Sequence, residues 1–223
     1  MTGSLRPLRA VLWDMDGLLV DTEPVWTVAE EELAAELGGT WSPQLKATIA
    51  GTRLDVAVPT ILEHYGRPTT AADVAWASGW LLRRMGELFA SEPTVLPGVR
   101  ALLTELAARQ VPVALVSSSY RALVQAVLAH GLGPFDVTVA GDEVGHGKPH
   151  PEPYLTAAAR LGVDPQDCVV LEDSVAGVLA GEAAGCAVLA VPSVPGVTVL
   201  PGPRTLVRAS LAGVTVADLQ ALL

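Results

Sequence analysis

The stretch VLWDMDGLLVDTEP, residues 11–24, decides how the rest of the chain is interpreted. It begins as an apolar run ending at Trp13, of the kind that forms a strand buried on both faces. Asp14 and Asp16 follow at once, with one residue between them. Carboxylates are costly beside a buried strand, and a divalent cation would compensate their charge. We interpret the pair as part of a catalytic site. A strand followed by an ordinary acidic turn is the alternative.

Length and composition fit one globular domain, or a domain that carries an insert. The chain has 223 residues, of which 50% are hydrophobic. Its 14 basic and 24 acidic residues give a net charge of −10, and no basic run appears. General nucleic-acid binding is therefore not expected. The acidic balance is compatible with a small anionic substrate held by a few local cations.

No targeting or membrane-spanning segment is expected. The apolar stretch near the amino terminus is too short for a signal peptide, and no apolar run reaches the length of a membrane span. We expect a soluble, cytoplasmic monomer with neither a nucleic-acid nor a membrane partner. Cys168 and Cys186 lie in apolar stretches without paired metal-ligand spacing, which predicts buried free thiols.

The composition changes at residues 21–96, and this block predicts a helical insert. Its candidate helices are residues 23–37, 43–50, 54–65 and 71–90, with no good strand between them. Four tryptophans fall within the block: Trp26, Trp41, Trp76 and Trp80. Filling a small helical core is their favoured role over direct ligand contact.

From residue 99 onward, helical and strand patterns alternate. The predicted strands are residues 111–116, 135–140, 168–171, 187–191 and 206–209. The predicted helices are residues 99–108, 120–130, 152–161, 175–184 and 216–222, and residues 194–204 predict a loop rich in Pro and Gly. Strands that alternate with helices imply an α/β fold with a doubly wound parallel sheet covered on both faces.

Polar residues follow three of these strands at the point where each ends. Asp14 and Asp16 follow the first strand, and three serines that begin at Ser117 follow the second. Glu172 and Asp173 follow a later strand. The carboxyl ends of parallel strands form one rim, where ligands bind. These side chains should therefore meet at one edge of the sheet.

A cation is expected at the same rim. Lys148, in GHGKPHPEPY, stands just before a predicted helix whose amino end would face it. Each polar group also has a plainer interpretation, as a helix cap or a solvated loop residue. We favour a shared site, because these roles would each have to place a residue at the same rim independently. Four histidines fit surface or loop roles: His64, His130, His146 and His150.

Taken together, these motifs resemble those of the haloacid dehalogenase superfamily of phosphotransferases over essentially the whole chain. DMDGLLVDTEP resembles the first motif, Ser117 the second, Lys148 the third and LEDSVAG the fourth, in the family's order. The resemblance implies a Rossmann-like core of residues 1–20 and 97–223, with a helical cap inserted at residues 21–96. Within the superfamily, the chain looks like the β-phosphoglucomutase-like phosphatases, of the 2-deoxyglucose-6-phosphatase and hexitol-phosphatase type.

The resemblance implies a chemical role for each motif residue. Asp14 would be the nucleophile that forms an aspartyl-phosphate, and Asp16 would act as the acid and then as the base. Ser117 would bind a phosphoryl oxygen, and Lys148 would balance the charge of the phosphate and of Asp14. The implied cofactor is Mg²⁺. Its expected ligands are Asp14, the backbone carbonyl of Asp16, Asp173 and, directly or from the outer shell, Glu172.

The cap is expected to choose the substrate, a small phosphorylated metabolite. In the family that the chain resembles, a loop between the second and third cap helices reaches over the site, and here it carries Gly51 and Arg53. Arg53 would either bind a substrate hydroxyl or anionic group, or be a solvated residue that starts a helix. In the first case, Arg53→Ala should change the discrimination among esters. The expected substrate contacts are Glu23, Trp26, Gly51, Arg53, Ser118 and Arg121.

A phosphatase of sugar or sugar-alcohol phosphates is the leading hypothesis, and a β-phosphoglucomutase-type mutase is the alternative. Arg121 stands where the family's mutases tend to have an asparagine, and Trp26 where they have a cap-hinge histidine that couples closure to Asp16. An indole cannot titrate near neutral pH or relay a proton in that manner. Hydrolysis should therefore dominate. The intact motif residues argue against a silent binding protein that only keeps the fold.

Overall fold

The computed structural model describes residues 6–49, 51–91, 93–193, 199–200 and 202–223 of the chain. The strands found there, numbered along the chain, are β1 (Ala10–Trp13), β2 (Val20–Asp21), β3 (Thr94–Val95), β4 (Val113–Val116), β5 (Val137–Val139), β6 (Cys168–Glu172), β7 (Ala187–Ala190) and β8 (Thr205–Val207). Six of them form one parallel sheet in the order β5, β4, β1, β6, β7, β8. The predicted α/β, doubly wound parallel sheet is thus confirmed.

Strand β1 lies in the middle of this sheet, between β4 and β6. Trp13 is in register with Leu115 of β4 on one side and with Leu171 of β6 on the other. Alternate side chains of β1 enter two apolar clusters, with Val11 and Trp13 on one face and Leu12 on the opposite face. Because both faces are covered, an uninterrupted apolar run is the sequence such a strand requires. The strand order reverses at β1, where an open sheet of this kind forms a binding crevice.

Helices cover both faces of the sheet and form the inserted block. They are α1 (Glu23–Glu36), α2 (Pro43–Ile49), α3 (Leu54–His64), α4 (Ala71–Leu88), α5 (Val99–Ala108), α6 (Arg121–Leu128), α7 (Glu152–Leu161), α8 (Val175–Ala183) and α9 (Val216–Gln220). We call α1 to α4 the inserted helices, and they pack mainly on one another. Their bounds lie within two residues of the sequence predictions; Ala50 and part of the predicted loop at 194–204 lie outside the described residues.

No strand separates the inserted helices in the described residues, as predicted, but two short strands flank the block. The short strands β2 and β3 pair antiparallel where the chain enters and leaves the inserted helices, with Val20 opposite Val95 and Asp21 opposite Thr94. Two-residue strands are too short to show a period of two in a sequence, which is why the pattern gave no sign of them. The pairing brings the two crossings between the sheet and the inserted helices side by side.

Three of the four tryptophans in the inserted block, and both cysteines, lie where the sequence predicts. Trp26, Trp41 and Trp80 are partly buried against the core, whereas Trp76 is 48% exposed and does not fill it. The two cysteines, Cys168 and Cys186, are buried free thiols, as predicted. Within the described part of the chain, no helix is both long and apolar enough to cross a membrane.

Candidate active site

The carboxyl ends of β1, β4 and β6 bring polar side chains into the interior of the protein. The buried polar or charged residues among those described are Asp14, Thr22, Glu30, Ser117, Ser119, Lys148, Glu172 and Asp173. Most of these belong to the motifs singled out in the sequence. Buried ionisable groups are costly unless they are paired, so their concentration at one rim points to a functional site.

Lys148 is the central cation of this group. Its Nζ donates to Asp14 Oδ1 at 2.5 Å, to Glu172 Oε1 at 2.6 Å and to the backbone oxygen of Val116 at 3.0 Å, which uses all three of its protons. The hydroxyl of Tyr154 also donates to Glu172 Oε1, at 2.8 Å. Burial alone would lower the pKa of Lys148, but the two carboxylates outweigh it and raise that pKa. Lys148 is therefore a fixed, charged group.

Asp14, Glu172 and Asp173 form a carboxylate cluster whose oxygens lie within 4.8 Å of one another. Lys148 is ion-paired with Asp14 and Glu172, so three ionised carboxylates would carry more negative charge than this one ammonium group can neutralise. Burial raises the pKa of Asp14 to about 8 although Lys148 opposes the shift, and burial together with the Asp14 charge raises the pKa of Asp173. A divalent cation with a preference for oxygen ligands would fit this charge and this donor set.

The three carboxylates are not equivalent. Asp14 and Asp173 line the cavity described below, whereas Glu172 lies behind it. Oε2 of Glu172 accepts hydrogen bonds at 3.0 Å from the backbone N–H groups of Asp173 and Ser174 and from the Ser174 hydroxyl. Its two oxygens are thus fully engaged by the protein, which favours the outer-shell role over direct coordination.

Gly17 is required by this cluster. Its φ of +81° is one that side chains rarely adopt, and a Cβ atom there would lie 2.2 Å from Asp173 Oδ2. The hydroxyl of Ser193 donates to that same Oδ2. The glycine that follows the two aspartates in the sequence therefore leaves room for a carboxylate that arrives from β6.

The side chain of Asp16 is held by four donors and is not part of the carboxylate cluster. Oδ1 accepts from the Thr22 hydroxyl at 2.8 Å and from the Trp26 indole N–H at 3.4 Å. Oδ2 accepts from the hydroxyls of Ser117 at 3.1 Å and Ser119 at 2.8 Å. Asp16 is thus connected to the loop after β4 and to the first inserted helix. That its backbone carbonyl binds a metal stays a prediction.

A cavity lies between the rim and the inserted helices. Its polar wall on the side of the sheet consists of Asp14, Asp16, Ser118, Ser119, Lys148, Asp173 and Ser174. Its wall on the side of the inserted helices includes Glu23, Trp26, Glu30, Lys46, Ile49, Gly51, Thr52, Leu54 and Ala57. The motif residues and the inserted helices therefore enclose one space, the arrangement expected of a small-molecule site.

Four of the six residues expected to contact a substrate line this cavity: Glu23, Trp26, Gly51 and Ser118. Ser118 also donates to the backbone oxygen of Gly51 at 2.9 Å, which joins the rim to the loop before α3. Ser117 lies just behind the wall, with its hydroxyl directed at Asp16. The four histidines lie outside the cavity, as expected of surface or loop residues; His146 and His150 are exposed beside Glu152.

The structure places Arg53 outside the cavity wall, and its contact with a substrate stays a prediction. Its guanidinium group does not line the cavity; it is ion-paired with Asp55 and donates from Nη1 to the backbone oxygens of Gly141 at 3.0 Å and Val144 at 2.8 Å. With its side chain only 13% exposed, it is not the solvated helix start of the alternative either. Arg53 therefore joins the inserted helices to the loop after β5.

Arg121 also lies outside the cavity wall. Its guanidinium group forms an ion pair with Glu143 at 2.6 Å and donates to the Thr138 hydroxyl at 2.7 Å, away from the cavity. Arg121 is the first residue of helix α6, and its side chain contacts β5 at Thr138. Its guanidinium N–H groups donate to Glu143 and Thr138 rather than into the cavity, so a substrate contact stays a prediction.

The contacts of Arg53 lead to a testable prediction. For the phosphatase that the motifs resemble, Arg53→Ala should lower kcat/KM several-fold, and to a similar extent for p-nitrophenyl phosphate and for a sugar phosphate, because it removes contacts that hold the inserted helices to the loop after β5 rather than a contact with one substrate. Arg67→Ala is the matched control, since among the described residues Arg67 donates to the backbone oxygen of Leu37 within the inserted helices, at 2.7 Å. A loss confined to the larger ester would restore the substrate contact inferred from the sequence.

Two charged residues of the cavity wall, Glu30 and Lys46, are not among the residues that the sequence predicts for the site. They lie on helices α1 and α2, where charged residues ordinarily mark the solvated face, so nothing in the pattern distinguished them. Lys46 Nζ lies 2.8 Å from Glu30 Oε2 and 3.1 Å from Glu23 Oε2. Their place in the cavity wall depends on tertiary packing, which the sequence pattern does not show.

Comparisons with known proteins agree with this geometry. A family model for haloacid dehalogenase-like hydrolases matches residues 8–185. Hexitol phosphatase B of Escherichia coli strain K12 is 35% identical over 192 residues, which cover 84% of this chain and 85% of that protein. The bifunctional riboflavin kinase/FMN phosphatase of Arabidopsis thaliana is 38% identical over 87% of this chain, which spans only 52% of the plant protein.

Among solved structures, CbbY from Rhodobacter sphaeroides in complex with phosphate superimposes with a TM-score of 0.83 and 26% identity, covering 95% of this chain and 99% of that one. The order of the strands, the polar rim and the sequence matches point to the same relationship. This chain belongs to the haloacid dehalogenase-like hydrolases.

Proposed function

We propose that this hydrolase is a Mg²⁺-dependent phosphatase that releases phosphate from small monoesters of sugars or sugar alcohols through an aspartyl-phosphate. One observation carries the proposal: Asp14, paired with the buried Lys148, opens onto a cavity whose opposite wall is built by the inserted helices. The similarity to hexitol phosphatase B supports the class of substrate.

Asp14 is the proposed nucleophile. It directly follows β1 at the position where the strand order reverses, and its carboxylate lines the cavity. Phosphoryl transfer depends mainly on positioning and charge neutralisation, and the ion pair with Lys148 supports both. Attack on phosphorus displaces the alcohol and leaves a phosphorylated aspartate, which water then hydrolyses.

Mg²⁺ is the proposed cofactor, because the carboxylate cluster carries uncompensated negative charge on hard oxygen donors. Asp14, Asp173 and the backbone carbonyl of Asp16 would hold the ion, with Glu172 behind them. When bound, the ion supplies positive charge to neutralise that of the phosphoryl oxygens.

Asp16 is the proposed acid and base. It would give a proton to the leaving alcohol oxygen and later accept one from the attacking water. Its contacts with Thr22 and Trp26 on one oxygen and with Ser117 and Ser119 on the other keep the carboxyl group at the cavity wall. For Ser117 to bind a phosphoryl oxygen, its hydroxyl would have to turn away from Asp16.

The inserted helices are proposed to act as a cap, residues 21–96, over a core of residues 1–20 and 97–223. The paired strands β2 and β3 give the cap a narrow attachment, and the contacts made by Ser118 and Arg53 fasten its loop to the rim. A cap that is closed during the chemical step excludes water from the reacting groups. Hinge motion would then admit the substrate and release the product.

The proposal predicts hydrolysis rather than isomerisation. The indole of Trp26 donates to Asp16 but cannot carry a proton to or from it, so closure cannot be coupled to proton transfer as a histidine would allow. We expect inorganic phosphate from hexitol or hexose 6-phosphates, and interconversion of β-glucose 1-phosphate and glucose 6-phosphate at less than about a tenth of that rate.

Phosphorus NMR can follow both products in one reaction that contains Mg²⁺ and a trace of glucose 1,6-bisphosphate. A parallel sample with EDTA serves as the control and should release no phosphate. Isomerisation that outpaces phosphate release would make the chain a β-phosphoglucomutase-type mutase instead.

A further inference from the structure

We infer that Glu23, Glu30 and Lys46 form a subsite that recognises the hydroxyl groups of an uncharged polyol chain or ring and disfavours a substrate with a second phosphate. The inference rests on the proposed phosphatase function and specifies which monoesters it takes. We call these three residues the polyol subsite.

The polyol subsite is built into the wall of the cavity that Asp14 also lines. The side chain of Lys46 is 15% exposed, that of Glu30 is 7% exposed and that of Glu23 is 30% exposed. Lys46 lies between the two carboxylates, at 2.8 Å from Glu30 and 3.1 Å from Glu23. Its position is thus fixed from two directions, as recognition of a particular hydroxyl group requires.

The charges of the polyol subsite decide against an anionic ligand. Two carboxylates surround one ammonium group, so this end of the cavity has no excess positive charge. The cations in the described cavity wall are Lys46 and Lys148, and each is paired with two carboxylates. Arg53 is ion-paired outside the wall. A second phosphate at this end would meet carboxylates that no cation is left to offset, and like charges in a partly buried site repel strongly.

A hydroxyl group, in contrast, matches both the charge and the hydrogen-bonding groups of the polyol subsite. It accepts a hydrogen bond from Lys46 and donates one to a glutamate, so it can join the pair without leaving a buried polar group unsatisfied. Burial raises the pKa of Glu30 to about 7 although Lys46 opposes the shift, so near neutral pH this carboxyl group can also donate. Sugars and sugar alcohols present several such hydroxyl groups.

The apolar neighbours complete the match. Trp26, Ile49, Ala57 and Leu123 line the same cavity, and such surfaces pack against the C–H faces of a carbohydrate. A ligand that carries hydroxyl groups on one side and C–H groups on the other therefore fits this space better than a compact dianion does. The chemical class that results is a polyol with one phosphate, with that phosphate at Asp14.

Three substrates and two variants test the inference. The substrates are sorbitol 6-phosphate, fructose 1,6-bisphosphate and p-nitrophenyl phosphate, each measured for kcat and KM with Mg²⁺. Lys46→Met should lower kcat/KM for sorbitol 6-phosphate by about ten- to a hundredfold, mainly through KM, and lower it less for p-nitrophenyl phosphate. The double variant Glu23→Gln and Glu30→Gln leaves Lys46 unneutralised, and it should shift the preference toward the bisphosphate by about tenfold.

The matched control is Arg84→Met, which removes a cation from the inserted helices where it is paired with Glu32 at 2.6 Å, outside the cavity. Its ratios among the three substrates should equal those of the unaltered protein. Thermal unfolding shows whether Lys46→Met, which leaves Glu30 unpaired, is folded; the double variant keeps every side-chain shape and tests the same point independently.

The outcomes separate this inference from the proposed function. If p-nitrophenyl phosphate is hydrolysed but the double variant leaves the ratio of the two sugar esters unchanged, the polyol subsite is overturned and the phosphatase stands. If no ester is hydrolysed, the proposed function fails and the subsite with it. A shift toward the bisphosphate in the double variant alone, with none in Arg84→Met, supports the subsite.

Discussion

Asp14→Asn is expected to reduce phosphate release by about 10⁴-fold or more, because an amide of nearly the same shape is a poor nucleophile. The fold should survive, since Lys148 keeps its ion pair with Glu172 at 2.6 Å and its bond to the Val116 carbonyl. Turnover of p-nitrophenyl phosphate with Mg²⁺, together with circular dichroism, measures both properties. Substantial activity in the folded variant would contradict the assignment of the nucleophile.

The control for this substitution is Asp142→Asn, an exposed aspartate that accepts from the backbone N–H of Arg121 at 2.8 Å. An amide oxygen can make the same bond, so activity should be unchanged. Stability without metal gives a second readout. Burial raises the pKa of Asp14 from 3.8 to about 8 in the folded protein. Its carboxyl group therefore lowers the stability of the fold progressively as the pH rises from about 4 to 8. The amide of the Asp14→Asn variant does not ionise, so in EDTA the Tm of this variant should rise relative to that of the unaltered protein between pH 5 and pH 8.

The central part of the site could be predicted because its signals are local. Asp14 and Asp16 follow an apolar strand, whereas Glu172 is the last residue of a second strand and Asp173 follows it. Parallel topology converts these separate positions into one rim, without any knowledge of which side chains touch. The position of Lys148 was expected from the motif, and the structure brings its ammonium group to the rim.

The partners of the other charged residues could not be predicted, since they depend on contacts far away in the sequence. Arg53 looked like a substrate contact or a solvated helix start, but its acceptors are the carbonyl oxygens of Gly141 and Val144 on another part of the fold. Lys46 and Glu30 stand on predicted helices, where nothing in the sequence separates them from ordinary surface charges. Only the packing of α1 and α2 over the rim encloses them, and a single sequence carries no information on that packing.

Asp16→Asn is expected to impair two steps to different degrees. The amide can occupy the same place, with its oxygen accepting from the Thr22 hydroxyl and its NH2 group donating to the Ser119 hydroxyl, but it cannot exchange a proton at neutral pH. Release of an alkoxide requires a proton, so kcat/KM for sorbitol 6-phosphate should fall by about 10²- to 10⁴-fold. A p-nitrophenolate ion leaves without one, so formation of the aspartyl-phosphate from p-nitrophenyl phosphate should be slowed much less.

In the proposed mechanism, hydrolysis of the aspartyl-phosphate is the step at which both esters converge, because the attacking water would lose a proton to Asp16 whichever alcohol has departed. With p-nitrophenyl phosphate, Asp16→Asn should therefore give a burst of about one equivalent of p-nitrophenolate and then a slow steady state. Stopped-flow absorbance records the burst, and intact-protein mass spectrometry records the phosphoryl group that stays on the enzyme. Asp21→Asn, which changes an aspartate of β2 outside the cavity wall, should show neither effect. Equal losses on the two esters without a burst would show that Asp16 supports the structure of the site but carries no proton, and the acid and base would have to be sought elsewhere in the cavity.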